Sequence, residues 1–334
     1  VHTKASHHLN PAAEFMKGDI RNKDDLQKAL TGVEIVFHQA AAVGVAQSMY
    51  QIQKYIDVNT GGTAKLLNIL VNEKHKVEKL IVASSMSIYG EGSYTCDNCG
   101  IVYPKLRDER QLKAAEWEAK CPNCERVLEP IPTNEDKPLY PISVYAISKR
   151  DQEEMCLTVG KACGMPTVAL RYFNVYGLRQ SLSNPYTGIC AIFSSRIKNG
   201  KAPVIFEDGI QSRDFISVYD VVQANLLAMV KSEANHKAFN VGTGKPTTIG
   251  EIAKLLVNLH GKELRPEVIN KYRVGDVRHC YADISKIESE LSFKPKVSLE
   301  QGMKELVQWA ETVYAEDKTQ QAKEELEMRN LIKG

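Results

Sequence analysis

No apolar run in this sequence approaches the ~20 residues that a membrane-spanning helix needs, so no membrane partner is expected. The polar opening Val1-His2-Thr3-Lys4-Ala5 also lacks the apolar stretch of a secretory signal. Charge of one sign is scarce: 43 Lys and Arg against 41 Asp and Glu leave a formal +2. That balance supplies no electrostatic footprint for nucleic acid. Internal repeats and low-complexity segments are missing too. What is present is ordinary for a globular chain, with 43% apolar and 25% charged residues over 334 positions, enough for one large domain or two smaller ones around a sizeable core. Eight cysteines, four of them in Cys-x-x-Cys pairs, suggest a reducing compartment and a metal more than disulfides. A cytoplasmic location is expected.

Short apolar runs alternate with helical periodicity along most of the chain, which predicts βαβ units around a parallel sheet. Strands are expected at residues 13–16, 34–38, 80–83, 167–171, 204–206 and 238–241. Helices are expected at 23–30, 59–72, 143–159, 221–230, 249–259 and 299–314. The last fifteen residues are charged and predict a solvated helix or a frayed end.

Open parallel sheets bind ligands beyond the carboxyl ends of their strands. Three polar clusters fall at such ends: His38-Gln39-Ala40-Ala41, Ser84-Ser85 and Tyr172-Phe173-Asn174. Between the last two, Tyr145 and Lys149 stand four apart on a helix and so share one face. A phenol is a poor base at neutral pH, and an ammonium beside it favours the phenolate. Many exposed helices carry this spacing with no chemistry attached. With strand-end clusters on both sides, the pair reads as an acid/base device at a ligand cleft.

Between Gly90 and Pro132 the alternation stops. Cys96-x-x-Cys99 and Cys121-x-x-Cys124 frame a linker of 21 residues, close to zinc-ribbon spacing. Two such knuckles can give the closed four-sulfur shell of structural zinc. Two reduced pairs or a redox couple are the alternatives. Cys156, Cys163, Cys190 and Cys280 are scattered and read as small core residues. A zinc-stapled flap near the mouth of the cleft is expected.

From residue 14 to residue 309, interrupted only by this insert, the chain resembles the extended short-chain dehydrogenase/reductase family. Within it, the nucleotide-sugar epimerases and dehydratases are most similar. Gly18-Asp19-Ile20-Arg21 is similar to the family segment whose Asp and apolar residue hold the adenine ring. The resemblance implies further cofactor contacts at Gln39, Ala40, Ala41, Asn59, Ser84 and Tyr172, with Tyr145 and Lys149 shared between cofactor and catalysis. It implies a catalytic trio of Ser85, Tyr145 and Lys149. For the substrate it implies Ser85, Met86, Asn174, Arg213, Arg273 and Asp276, with Val204 and Phe206 sandwiching the base. A guanidinium suits a diphosphate because its planar fork donates two parallel hydrogen bonds; a solvated surface charge is the alternative for either arginine. The implied fold is a Rossmann-like doubly wound parallel sheet with a smaller α/β substrate lobe. NAD, a nucleotide-diphosphate sugar and homodimerisation through the helices at 59–72 and 143–159 come with it. The division expected is an NAD-binding unit at 1–180, with the zinc-ribbon-like insertion at 93–131. The substrate lobe then spans 181–334, with about 215–245 returning to the first unit.

One departure is large. The family opens with a strand, a Gly-x-x-Gly-x-x-Gly turn and a helix that receives the cofactor pyrophosphate. No such turn occurs in the 334 residues, and Gly61-Gly62, inside an expected helix, does not replace it. The sequence as written is therefore expected to hold NAD poorly and to expose a sheet edge. The choice of NAD over NADP rests on the resemblance alone.

Two reactions diverge from a 4-keto sugar. A 4,6-dehydratase needs an acid and a base to expel the 6-hydroxyl, carried in relatives just after the Ser85 position; here Met86 and Ser87 stand there. An epimerase needs only room for the keto sugar to turn, which a flexible Met wall permits. Reversible 4-epimerisation is therefore expected. The run from Ser84 to Gly92, with the insert after it, is most similar to the dTDP-L-rhamnose 4-epimerase branch; a dTDP- or UDP-hexose is the expected substrate. A dehydratase, a non-catalytic binding protein of this fold and an inactive fragment remain as alternatives.

Overall fold

The structure is a computed structural model that describes residues 9–186 and 188–334. Residues 1–8, which include the polar opening read above and the start of the expected NAD-binding unit, lie outside the described residues.

At the centre lies a four-stranded parallel sheet in which Ile35–His38, Lys79–Ser85, Thr167–Tyr172 and Lys237–Val241 are neighbours in chain order. Parallel strands need crossovers. These are supplied by the helices Gly62–Asn72, Val144–Ala162 and Val218–Val230. Lys79–Ser85 is buried along its whole length, as a strand covered on both faces must be. Its side chains alternate as the pleat dictates. Leu80 and Val82 meet Leu66, Leu67 and Leu70 on one face, while Ile81 meets Val221, Ala224 and Phe239 on the other.

Register aligns the strand ends. Ser85 lies opposite Tyr172, and Tyr172 opposite Val241. The helix that carries Tyr145 begins where Ser143 accepts a hydrogen bond from the Ala146 amide at 3.1 Å. Its buried face is unusually polar: Ser148, Lys149, Gln152 and Glu153 all point inward. One pair locks it. Arg171 donates from Nε to both oxygens of Glu153 at 3.1 Å and from Nη2 at 2.6 Å. Its Nη1 reaches the Tyr89 hydroxyl at 2.8 Å and the Glu135 carbonyl at 2.9 Å, and the Tyr89 hydroxyl donates to Asn240 at 2.7 Å.

Past Tyr172 the chain crosses into a second layer. Asn174–Tyr176 pairs with Ser212–Ser217, which also pairs with Pro246–Thr248 and His279–Cys280. Helices Ile189–Lys198, Ile249–Leu259 and Leu299–Thr312 pack on it around Phe193, Leu256 and Leu306. The insert forms its own three-stranded antiparallel sheet of Ser93–Cys96, Gly100–Val102 and Glu129–Ile131.

Two expectations are corrected. Residues 13–16 form no strand: the segment finds no partner among the described residues, and Phe15 and Met16 stand exposed. The Ala13 amide instead closes a local turn onto the Asn10 carbonyl at 2.8 Å. The C-terminal segment is neither solvated all round nor frayed. Thr319–Glu327 is a helix that buries Ala322 and Leu326. Glu325 accepts from the Tyr50 and Tyr186 hydroxyls at 2.8 and 3.0 Å, and Ile332–Lys333 pairs with Tyr272–Arg273.

Glu153→Ala should cost about 3–5 kcal/mol of unfolding free energy, because it strands a buried guanidinium. Urea denaturation measures it; a loss under about 1 kcal/mol would mean that water replaces the carboxylate.

Candidate functional site

The strand ends, the start of the Tyr145 helix and residues 173–175, 180, 188–190 and 215 enclose a cleft of about 280 Å³. Gln39, Ala41, Ser84, Ser85, Tyr145, Lys149, Tyr172 and Asn174 all line it. No Asp or Glu is among the lining residues.

Ser85 is oriented by a residue that sequence reasoning read only as a missing carboxylate. Its hydroxyl oxygen accepts from the Ser87 amide at 3.2 Å and the Ser87 hydroxyl at 2.9 Å. With its lone pairs occupied, Ser85 keeps its own proton for an oxygen in the cleft. Tyr145 is the first such oxygen, and the hydrogen bond from Ser85 favours its phenolate. The Tyr145 ring stands edge-on to Tyr55 at 6.3 Å, and its amide donates to Ser48 at 3.0 Å.

The expected effect of Lys149 on Tyr145 is not realised here. Burial raises the Tyr145 phenol above its ordinary value, and Ser85 only partly offsets it. Lys149 is itself pushed down to about 8 by burial. Its ammonium donates at 2.9 Å to Gln152, whose amide in turn donates to Thr63 at 2.8 Å and lies 3.2 Å from the His38 ring. Burial, then the Lys149 charge, holds His38 down to about 4, so its ring is neutral. This buried chain of four side chains aims Lys149, and nothing local in the sequence announces it.

Gln39, Tyr172 and Asn225 form a triangle: Gln39 and Asn225 donate to the Tyr172 hydroxyl at 3.1 and 2.8 Å. Asn225, from the helix Val218–Val230, was not among the sequence candidates. Ser84 Oγ, Asn174 Oδ1 and Gln180 Oε1 are buried at the cleft with no hydrogen-bond partner among the described residues. Such atoms are costly unless a ligand satisfies them, which makes Gln180 a further candidate. Asn59 is placed differently from expectation. It is wholly buried and spends its amide on Ala42 and on Ser148 at 2.7 to 3.0 Å, shaping the loop instead of facing the cleft. Ala40 is exposed beside the cleft. Asp19 and Ile20 lie away from it: Asp19 chelates Arg21 and is held down to about 2 by those hydrogen bonds. Ile20 packs so closely on Gly62 that a Cβ there would meet its Cγ2 at 2.7 Å.

The substrate-lobe candidates form a second group. Asp276 lies between two arginines, 2.7 Å from Arg273 and 3.4 Å from Arg213. The Arg273 guanidinium sits 5.0 Å from the Phe206 ring centroid, next to the short strand Val204–Ile205. Met86 packs with Tyr89, Phe173 and Val277, and is not among the lining residues.

Cys96, Cys99, Cys121 and Cys124 converge, their sulfurs all within 4.8 Å of one another. All eight cysteines are free. The insert is not at the cleft mouth as expected. It contributes nothing to the lining and packs instead on the second lobe, where Arg107 pairs with Glu207 at 2.9 Å.

A parallel sheet with a polar cleft across its carboxyl ends defines a Rossmann-like α/β protein. Comparison with known proteins sharpens this. The NAD dependent epimerase/dehydratase family matches residues 1–107 and 122–242, its interruption falling inside the insert. The chain belongs to that family. It is 34% identical over 307 residues to a dTDP-L-rhamnose 4-epimerase of Burkholderia thailandensis, covering 90% of this chain and 82% of the relative. A UDP-glucuronate 4-epimerase of Thermodesulfobacterium geofontis is 29% identical over 89% and 79% of the two chains. Among solved structures, the UDP-glucose 4-epimerase of Thermotoga maritima with UDP-glucose superposes with a TM-score of 0.75 at 31% identity, over 93% of this chain and 88% of that one. UDP-glucuronic acid 4-epimerase of Bacillus cereus, in complex with UDP-glucuronic acid and NAD, gives 0.74 at 27% identity, over 92% and 84%.

The depressed Lys149 value makes a stability prediction. Between about 8 and the ordinary lysine value of 10.5 the unfolded chain binds the lysine proton and the folded chain does not, so stability rises with pH in that window. The gain is on the order of 3 kcal/mol. Denaturation from pH 8 to 10 should show a shallower rise for Lys149→Met than for the parent; parallel curves would remove Lys149 as the titrating group.

Proposed function

We propose that this chain is an NAD-dependent nucleotide-sugar 4-epimerase acting on a dTDP- or UDP-hexose, with the dTDP-L-rhamnose type favoured. One observation carries the choice of reaction: the cleft brings Ser85, Tyr145 and Lys149 together and has no carboxylate among its lining residues. Proton transfer to and from one sugar oxygen is then available, whereas elimination lacks its acid and base. The 4-epimerase activities of the relatives from Burkholderia thailandensis and Thermodesulfobacterium geofontis support the same reading.

The unpartnered Ser84, Asn174 and Gln180 atoms and the Gln39–Tyr172–Asn225 triangle suit a polar cofactor and sugar. Those residues would hold NAD, which would supply a reversible hydride acceptor for the sugar C4. Tyr145 Oη receives the proton of the 4-hydroxyl and gives it back when the opposite face has been reduced. Ser85, its acceptor sites held by Ser87, donates to the same sugar oxygen and stabilises its developing charge. Lys149 holds positive charge beside the phenol once it leaves Gln152, and so lowers the proton affinity that burial has raised. Arg273, held by Asp276, and Arg213, which also donates to the Ser212, Val277 and Arg278 carbonyls, take the diphosphate, and Val204 and Phe206 take the base.

The four converged cysteines fit structural zinc, since two knuckles aim four sulfurs at one point. The cofactor unit is assigned to 1–180, with the insert at 93–131 and about 215–245 returning to it, and the substrate lobe mainly to 181–334. Homodimerisation uses the outer faces of Gly62–Asn72 and Val144–Ala162, where Val71 and Ile147 stand exposed. The free cysteines favour the cytoplasm.

The protein should interconvert a dTDP- or UDP-hexose with its 4-epimer when NAD is present, which proton NMR of the sugar follows. Tyr145→Phe should slow turnover by roughly 10²–10⁴-fold. Near-parental turnover would remove Tyr145 from this role, and a 4-keto-6-deoxy product would replace epimerisation by dehydration. Elemental analysis of protein purified without chelator should find about one zinc per chain; its absence would sink the zinc assignment.

A further inference from the structure

The cysteine insert has no task in the epimerase reading, yet two of its side chains enter one ionic network with the second lobe. Arg107, buried, forks onto Glu207 with both contacts at 2.9 Å, and also donates to the Asp276 carbonyl at 3.2 Å. Glu118 accepts from Nε and Nη2 of Arg278 and lies 3.1 Å from the His279 ring. Arg278 is fully buried and donates as well to Glu207 at 3.0 Å and to Asp208 at 2.7 and 2.9 Å. Glu207 is thus gripped from both sides, by Arg107 of the insert and by Arg278 of the lobe.

Glu207 needs that grip. Its φ is +55°, in the left-handed region that a side chain other than glycine enters at a cost. It follows Phe206 directly, and its amide donates at 2.8 Å to the Lys271 carbonyl, two residues before Arg273. Arg273 lies over the Phe206 ring and pairs with Asp276, within the same loop as Arg278. The strained turn and the arginine loop therefore meet the insert through one buried ionic network, and none of its members lines the cleft that holds Tyr145.

We propose that Arg107 and Glu118 are positioning residues for the nucleotide pocket, so that the insert acts as a strut that sets affinity for the nucleotide diphosphate. This rests on the reading of Phe206, Arg213, Arg273 and Asp276 as nucleotide contacts. The strut orders the turn and the loop before the ligand arrives. Without it, binding must supply that ordering, and affinity falls. The chemistry at C4, served by a separate cleft, is left alone.

The test compares the parent protein with Glu118→Gln, which keeps shape and loses charge, and Arg107→Lys, which keeps charge and loses the fork. Calorimetric titration with UDP and with dTDP, KM and kcat for 4-epimerisation, and melting temperature are measured on each. Glu118 is 36% exposed in its side chain, so its substitution keeps the test open if Arg107→Lys does not fold. The expected result is a roughly tenfold rise in both Kd and KM, with kcat within about twofold of the parent. Variants that melt lower but bind UDP and dTDP as tightly as the parent would show a merely structural role and overturn the proposal alone. A drop in kcat with unchanged KM would overturn it in the same way. A parent protein that binds neither nucleotide would overturn the nucleotide reading and this proposal with it.

Discussion

The Arg171 guanidinium, shut away from water between a strand and a helix, is the constraint on which the cleft depends. A buried charge is tolerated only with full compensation. Here that comes from Glu153 on the Tyr145 helix, from Tyr89 just beyond Ser85 and from the Glu135 carbonyl. Tyr89 passes the link to Asn240 on the neighbouring strand. One ion therefore fixes the carboxyl ends of three strands and the middle of the Tyr145 helix relative to each other. Ser85, Tyr145, Lys149 and Tyr172 hold their positions as a consequence.

Around that centre, two polar assemblies divide the work. The Lys149–Gln152–Thr63–His38 chain is buried and neutral except for its lysine, which burial brings down to about 8. The Arg107–Glu207–Arg278–Glu118 assembly is densely ionic and couples the cysteine insert to the second lobe. The first lies behind the cleft and holds Lys149 in place. The second ties the insert to the lobe.

The strand-end residues were legible because period-2 alternation and helical spacing are local properties. Gln39, Ser85, Tyr145, Lys149, Tyr172 and Asn174 follow from where the strands stop, and they do line one cleft. Gln152, Ser87, Asn225 and Gln180 carry no motif. Gln152 and Asn225 matter through partners 114 and 186 residues away, His38 and Gln39, Ser87 through its bond to Ser85, and Gln180 through its place at the cleft. Glu118 and Arg278 are 160 residues apart, so their pairing was invisible for the same reason. The C-terminal helix looked solvated because charge dominates its composition. Its few apolar residues, Ala322 and Leu326, fall on one face, and that is enough to dock it.

The amino-acid sequence by itself determined the parallel α/β architecture, the Tyr145–Lys149 spacing, the Cys-x-x-Cys pairs and the missing carboxylates at Met86 and Ser87. Each follows from chain-local geometry or from residue identity. Only the tertiary structure decided how those groups are charged and aimed. It raised the Tyr145 phenol where a lysine neighbour predicted the reverse, turned Lys149 toward Gln152, and set the insert against the lobe instead of the cleft. Desolvation sums over every neighbour a fold collects, and no stretch of sequence contains that sum.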